Sequence, residues 1–154
     1  MMLIKNQEVP ADVLKEQRPV YTLGIAAQLS GIPAHSIRQY IDRGLLLPYK
    51  LNSKRHLFSP SDISRLKQIH SLIHEHGLNF AGIRALMAMI PCWAIRPCSE
   101  SDRQQCGAYS AYSYPCWEAS EKGRICKNEN CRECEVYQIL SREGDLKGVI
   151  RALL

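Results

Sequence analysis

From Val20 onwards, apolar residues recur every three or four positions, which is the spacing of amphipathic helices. Thr22 is a suitable N-cap for a first helix over Leu23 to Leu29, and Ser30-Gly31-Ile32-Pro33 then supplies a stop and a turn. A second helix is predicted from Ala34 to Arg43. Two short helices joined by a turn that contains glycine are typical of a helix-turn-helix.

The second helix has one apolar side and one polar side. Ile37 and Ile41 lie four residues apart and can anchor the helix in a core. In a helix-turn-helix the second helix enters the major groove of DNA. The residues then left to face phosphates and base edges are Ser36, Arg38, Tyr40 and Arg43.

A basic, turn-forming stretch follows the second helix. Gly44 ends that helix, and Lys50 to His56 lies between Tyr49 and Leu57-Phe58. This pattern predicts a small hairpin, or wing. Its basic residues can reach the sugar-phosphate backbone. They are Lys54, Arg55 and His56.

Two more helices are predicted before residue 91. Ser59 or Ser61 opens a third helix through about His76, with a buried stripe that includes Ile63 and Leu66. Asn79 caps a fourth helix that runs to Ile90.

The order and spacing of these residues resemble the MerR family of bacterial transcription regulators. The matching residues are Tyr21-Thr22-Leu23, Leu29-Ser30-Gly31-Ile32, Ser36-Ile37-Arg38, Tyr40, Arg43-Gly44-Leu45-Leu46, Pro48, Arg55, Phe58-Ser59, Asp62-Ile63, His76-Gly77-Leu78 and Ile83. The resemblance implies a winged helix-turn-helix that binds near-palindromic promoter DNA as a homodimer and affects RNA polymerase indirectly. By position it implies DNA contacts from a set of residues in the helix-turn-helix and the wing. They are Thr22, Ser36, Arg38, Tyr40, Arg43, Lys54, Arg55 and His56.

The chain departs from that family after Ile90. A long dimer-forming helix is usual in the family at this point, whereas Pro91 interrupts the helical pattern here. Later helices are predicted around residues 134 to 140 and 145 to 154. The predicted fold is therefore mainly α. It has a leader (1–19), a winged helix-turn-helix domain (20–90) and a cysteine-rich metal- or cluster-binding segment with a C-terminal helix (91–154).

Charge supports this division of the chain. Residues 1 to 90 contain eleven Lys plus Arg against six Asp plus Glu, while residues 91 to 134 balance six against six. A local basic excess suits a nucleic-acid module, because phosphate neutralisation supplies most non-specific affinity. Neither a signal peptide nor an apolar run long enough for a bilayer is visible, so we expect a cytoplasmic protein without membrane contact.

All seven cysteines lie between residues 92 and 134. Such density in a cytoplasmic chain favours metal or cluster ligation over disulfides. Cys126-x4-Cys131-x2-Cys134 has the plant-type ferredoxin spacing for an iron-sulfur cluster, and Cys116 is the nearest fourth ligand. Zinc accepts the same ligands and stays open as an alternative. Further possible ligands are Cys92, Cys98 and Cys106.

The cysteine segment contains two copies of a short pattern, Pro91-Cys92-Trp93 and Pro115-Cys116-Trp117. They indicate either a duplicated half-site or two similar turns that place a thiolate beside an indole. A tryptophan can equally serve as the core of a small unit.

These features predict a DNA-binding regulator, not an enzyme, whose activity is set by a cysteine-ligated iron-sulfur cluster or metal through redox, nitric oxide or metal sensing. One alternative is a constitutive DNA-binding protein with a structural zinc site. A second is an iron-sulfur electron-transfer protein, which is disfavoured because the sequence has no Gly-rich cofactor loop or catalytic dyad.

Overall fold

The computed structural model describes residues 15–52, 54–143 and 145–153, so most of the predicted leader lies outside the described residues. In chain order the elements are α1 Leu23–Ser30, α2 Ala34–Asp42, β1 Tyr49–Lys50, β2 His56–Leu57, α3 Pro60–His74, α4 Phe80–Ala88, α5 Cys92–Ile95, α6 Glu100–Gln105, α7 Gly107–Ser110, α8 Glu135–Glu143 and α9 Leu146–Leu153, with short 3₁₀ turns at Cys116–Glu118 and Cys131–Glu133. The mainly helical architecture expected from the sequence is confirmed.

The helix-turn-helix has the local signals that the sequence predicted. Thr22 caps α1, and its hydroxyl accepts the Ile25 N–H at 3.4 Å. Gly31 ends α1 with φ at 73°, a left-handed conformation that favours glycine. Gly44 follows α2 with φ at 72°. Both turns therefore depend on a glycine at the end of a helix.

The wing is a short antiparallel hairpin. Tyr49 pairs with Leu57, and Lys50 pairs with His56. An isolated bridge between Tyr21 and Phe58 joins the base of the hairpin to the residues before α1. The predicted wing is thus confirmed and is fixed to the start of the helix-turn-helix.

A capping box opens α3. The Ser59 hydroxyl accepts the Asp62 N–H at 3.1 Å, and the Asp62 carboxylate accepts the Ser59 N–H at 2.8 Å. Pro60 stands at the first position of the helix, where its missing N–H costs nothing. The helix ends at His74, two residues before the predicted end at His76.

One continuous core crosses the predicted boundary at residue 90. It joins residues of the helix-turn-helix and its two following helices to side chains from the cysteine-rich segment. The latter are Trp117, Val136, Tyr137 and Leu140. The two predicted units therefore pack as one body along α3 and α8.

The helices predicted around residues 134 to 140 and 145 to 154 are confirmed as α8 and α9, but the sequence did not predict those that precede them. Three short helices, α5, α6 and α7, already lie between residues 92 and 110. Helices of four to six residues are too short to show a 3.6-residue apolar period. Their signal is local, as at Ser99, whose hydroxyl accepts the Asp102 N–H at 3.2 Å and so caps α6. No helix in the described residues is long and apolar enough to cross a bilayer.

Candidate functional site

A basic groove lies between the start of α1, the recognition helix α2 and the wing. Five of the eight residues predicted to contact DNA line it together. They are Thr22, Arg38, Lys54, Arg55 and His56. A groove between the recognition helix and the wing that presents these side chains can follow a phosphate backbone.

The other three predicted DNA contacts do not line this groove. Ser36 is half-buried, and Arg43 is exposed with its guanidinium 5.4 Å from the centre of the Phe80 ring. Tyr40 is 3% exposed and packs edge-on against Phe80, so its placement in the exposed set was wrong. Tyr40 lies three residues from Ile37 and therefore shares its buried side. Its contact with DNA stays a prediction.

The second candidate site is a cavity in the cysteine-rich segment. All seven cysteines line it, and its cavity volume is about 50 Å³. Four thiols also pack against the core, which anchors the inner wall of the cavity. These four are Cys92, Cys116, Cys131 and Cys134. The structure thus brings together residues that are up to 42 positions apart in the chain.

Burial and mutual proximity affect the thiols of this cavity. Burial raises the pKa of Cys116 to about 12, and the charges of Cys92, Cys134, Cys131 and Cys126 contribute in the same direction. The residues around Cys116 therefore include all three cysteines of the predicted C-x4-C-x2-C ligand set. Which thiols bind a metal stays a prediction.

Cys92 is a second partly buried thiol with other cysteines near it. Burial raises the pKa of Cys92 to about 11, followed by the charges of Cys106, Cys126 and Cys98. Within the described residues no group of three or more Cys, His, Asp or Glu side chains is arranged to hold a single metal ion. The thiols therefore share one cavity without a preassembled site for one ion.

Three cationic side chains accompany the thiols. The Lys122 ammonium donates to the Cys131 sulfur at 3.3 Å. Arg96 lies near Cys126 and lowers the pKa of that thiol, although burial outweighs this and the net shift is upward. The Cys98 side chain raises the pKa of Arg103. All three cations line the cavity, so they place positive charge beside its thiols.

Two of these cations have a buried donor without a partner. In the part of the chain that the structure describes, the Nε atoms of Arg96 and Arg103 are buried and make no hydrogen bond. Both residues line the cysteine cavity. A buried donor left unpaired costs about 1 to 3 kcal/mol, so an acceptor within the cavity would remove that cost. Seven thiols and two free guanidinium donors fit an anionic metal-thiolate or iron-sulfur centre.

The thiol pKa values predict a pH dependence for the metal-free protein. An unfolded cysteine loses its proton near pH 9, whereas folding holds the pKa of Cys92 at about 11 and that of Cys116 at about 12. Above pH 9 the folded state therefore binds more protons than the unfolded state, and the free energy of unfolding falls as pH rises towards 11. Below pH 9 this contribution is fully present.

Urea unfolding of the metal-free, reduced protein between pH 7 and pH 11 measures this slope. The Cys116→Ser variant is the matched control, and its slope should be shallower. Equal slopes for the two proteins would show that burial of Cys116 does not set this dependence.

The cysteine-rich segment is tied to the DNA-binding part by buried polar contacts. Arg132 forms a two-pronged ion pair with Asp62, with nitrogen-oxygen distances of 3.0 and 2.6 Å. Arg65 is fully buried, and its guanidinium lies 3.7 Å from the centre of the Tyr137 ring. It donates to the Leu45 carbonyl at 2.8 Å and to the Tyr137 carbonyl at 2.5 Å. These contacts join α3 to α8 and to the end of the recognition helix.

Sequence reasoning missed the cations of the cavity and the ties to the DNA-binding part. Because acidic and basic residues are equally numerous between 91 and 134, the charge counts offered no reason to single out the cations Arg96, Arg103 and Lys122. One signal was available, because Arg96 lies four residues after Cys92 and would share its side of a helical turn. The partners of Arg132 lie 70 and 85 residues away, which no local pattern reveals.

Comparison with known proteins assigns a family to the part of the chain that forms the first of these two sites. The sequence model described as "MerR HTH family regulatory protein" matches residues 21–90. HspR of Streptomyces coelicolor, named as a heat shock protein, is 37% identical over 76 residues, covering 49% of this chain and 50% of its own. The HTH-type transcriptional regulator GlnR of Bacillus anthracis is 35% identical over 79 residues, covering 49% of this chain and 60% of its own.

These matches fall on the part of the chain that forms the helix-turn-helix, the wing and the two following helices. The chain spans about half to three fifths of the length of these relatives. The groove between α2 and the wing lies wholly within the matched residues. Residues 21–90 are therefore a helix-turn-helix domain of the MerR family.

Proposed function

We propose that the chain is a MerR-type transcription regulator whose binding to promoter DNA is set by an iron-sulfur cluster held by its cysteines. The observation that carries the sensing half is the cavity lined by all seven cysteines, together with the unpaired Nε donors of Arg96 and Arg103. The family membership of residues 21–90 supports the DNA-binding half.

In this proposal, the protein binds a near-palindromic promoter element as a homodimer and affects RNA polymerase through the DNA. Arg38 of the recognition helix and Arg55 of the wing reach the duplex from two sides of the same groove. Phosphate contacts from such residues position the protein on DNA, whereas base contacts specify the sequence. The contacts with the second protomer, with DNA and with polymerase are all part of the proposal.

Four thiols would hold the cluster. They are Cys116, Cys126, Cys131 and Cys134, and the alternative ligands that line the same cavity are Cys92, Cys98 and Cys106. A bound cluster would supply a centre whose charge and ligand number change on oxidation or loss. The chain's own contribution is to exclude water with its core, to donate hydrogen bonds from Arg96 and Arg103, and to balance negative charge with Lys122.

A structural zinc site is the second candidate. The observation that favours it is the continuous core, because a metal there would also stabilise the packing of α8 on α3. The two candidates differ in what loss of the metal does. A sensor changes DNA affinity while the helix-turn-helix stays folded, whereas a structural site loses folding and DNA affinity together.

DNA binding of the full-length protein tests the proposal. The probe is a duplex that the anaerobically purified wild-type protein selects from a random-sequence pool. We expect DNA affinity to change by about tenfold when the metal is removed, within the usual range of coupling between two sites. Circular dichroism of the metal-free protein must show that its helices remain. Unchanged affinity with retained helices would contradict sensing.

The Arg38→Ala variant tests the DNA-binding half in the same assay. It should weaken binding and make the dependence on salt shallower by about one unit of the logarithmic slope if Arg38 contacts a phosphate. Lys147→Ala is the matched control, because Lys147 is exposed on α9, away from the groove. Equal losses for the two variants would place the DNA elsewhere.

A further inference from the structure

A short segment, Gly44 to Leu47, connects the recognition helix to the wing, and the cysteine-rich segment holds its backbone. The Trp117 indole N–H donates to the Gly44 carbonyl at 2.7 Å. The Leu47 N–H donates to the Tyr137 hydroxyl at 2.7 Å, and the Leu47 carbonyl accepts from Arg132 at 2.6 Å. Three side chains from beyond residue 91 therefore bind both ends of this connecting segment.

These three side chains lie very close to cysteines of the cavity. Trp117 directly follows Cys116, and Arg132 directly follows Cys131. Tyr137 lies three residues after Cys134, in the first turn of α8. Because adjacent residues share one peptide unit, a backbone shift at Cys116 or Cys131 also moves Trp117 or Arg132, which hold the connecting segment.

The Glu118 side chain packs closely against Gly44. A β-carbon at this position would overlap the Glu118 side chain, which belongs to the same 3₁₀ turn as Cys116. The Glu118 carboxylate also pairs with Arg84 at 2.6 Å, and Arg84 donates to the Arg43 carbonyl at 2.6 Å. The turn that contains Cys116 thus contacts Gly44 directly and is linked to Arg43 through Arg84.

We propose that Trp117, Arg132 and Tyr137 are positioning residues that transmit the metal state of the cysteine cavity to the angle between the recognition helix and the wing. This inference rests on the proposed function. DNA affinity depends on that angle, because α2 and the wing line one groove. The metal state changes the conformation of the connecting segment, because the residues that bind its two ends lie beside the cysteine cavity.

The two Pro-Cys-Trp sequences provide a matched test. Trp117 is 8% exposed and donates to Gly44, whereas Trp93 is 39% exposed and packs edge-on against Tyr109. Trp117→Phe removes the indole donor and keeps an aromatic ring, and Trp93→Phe makes the same change where no such tie exists among the described contacts. Tyr137→Phe removes a single hydroxyl, with Tyr112→Phe as its exposed control.

The measurement is DNA affinity of each full-length protein, metal-loaded and metal-free, with metal content determined on the same samples. The affinity ratio between the two states should fall about fivefold in Trp117→Phe and in Tyr137→Phe, the effect of one lost hydrogen bond, while metal content stays at the wild-type value. Trp93→Phe and Tyr112→Phe should keep the wild-type ratio. Hydrogen exchange of residues 45–47 gives a second readout, and it should be slower in the loaded wild type than in the loaded variants.

A purely structural role would lower the affinities of both states equally and leave the ratio unchanged. That result, with a responsive wild type, would overturn this inference and leave the proposed function standing. A wild-type protein whose DNA affinity ignores its metal would overturn both. A reduced ratio in the two test variants alone would support the inference.

Discussion

Replacing Asp62 with Asn should lower the free energy of unfolding by about 3 to 5 kcal/mol, the usual cost of removing one partner of a buried ion pair. The Asp62 side chain is 2% exposed and that of Arg132 is 12% exposed, so water cannot solvate the guanidinium left behind. The same carboxylate accepts the Ser59 N–H in the capping box of α3. A neutral amide therefore weakens both the tie between the two parts of the chain and the start of α3.

Asp145→Asn is the matched control for this prediction. Asp145 faces Arg151 at 3.9 Å, and both side chains are more than two-thirds exposed. Such a pair contributes little, and asparagine still caps α9, so we expect a change within about 0.5 kcal/mol. Urea unfolding of both metal-free proteins makes the comparison. Similar losses for the two variants would contradict the account of a buried tie between α3 and the Cys131 turn.

The second large effect is expected at Cys116. Replacing it with Ser should lower the free energy of unfolding of the metal-loaded protein by at least about 3 kcal/mol. This loss is a fraction of the about 10 to 16 kcal/mol that metal binding at a structural zinc site contributes to folding, because other thiols remain to bind the metal. Cys116 is the thiol whose pKa burial raises to about 12, and other cysteines surround it. It packs against the core at the centre of the proposed ligand set.

The metal-free state provides the control for this substitution. Without metal, Cys116 contributes packing alone, and Ser should cost about 1 kcal/mol. The difference between the loaded and metal-free losses isolates the contribution of the metal bond. Denaturant unfolding under anaerobic conditions measures all four values. If both states lost the same free energy, Cys116 would be excluded as a ligand.

The helix-turn-helix part was largely predictable because its signals are local. Thr22, Ser59 and Asn79 each cap the helix that the sequence assigned to them. The wing followed from a basic, turn-forming stretch between Tyr49 and Leu57-Phe58. Tyr40 was wrongly predicted to be exposed, because a tyrosine at the edge of the apolar side of a helix can be either buried or exposed. The residue that buries it is Phe80, forty residues later in the chain.

The cysteine-rich segment was predictable in chemistry and not in shape. The density of thiols indicated a shared site, and the structure places all of them on one cavity. The helices α5 to α7 are too short to show an apolar period, and nothing in the sequence indicated the contact between Trp117 and Gly44. A hydrogen bond across 73 residues depends on how two units pack, and packing is decided by shape rather than by a repeating pattern.

Metal analysis of the anaerobically purified full-length protein tests the central proposal, that four of the seven cysteines hold an iron-sulfur cluster beside a DNA-binding domain. Iron, acid-labile sulfide and zinc are measured on one sample together with its visible absorption spectrum. The account predicts a brown protein that contains iron and sulfide in equal amounts. A colourless protein that contains zinc alone, or no metal, would contradict it.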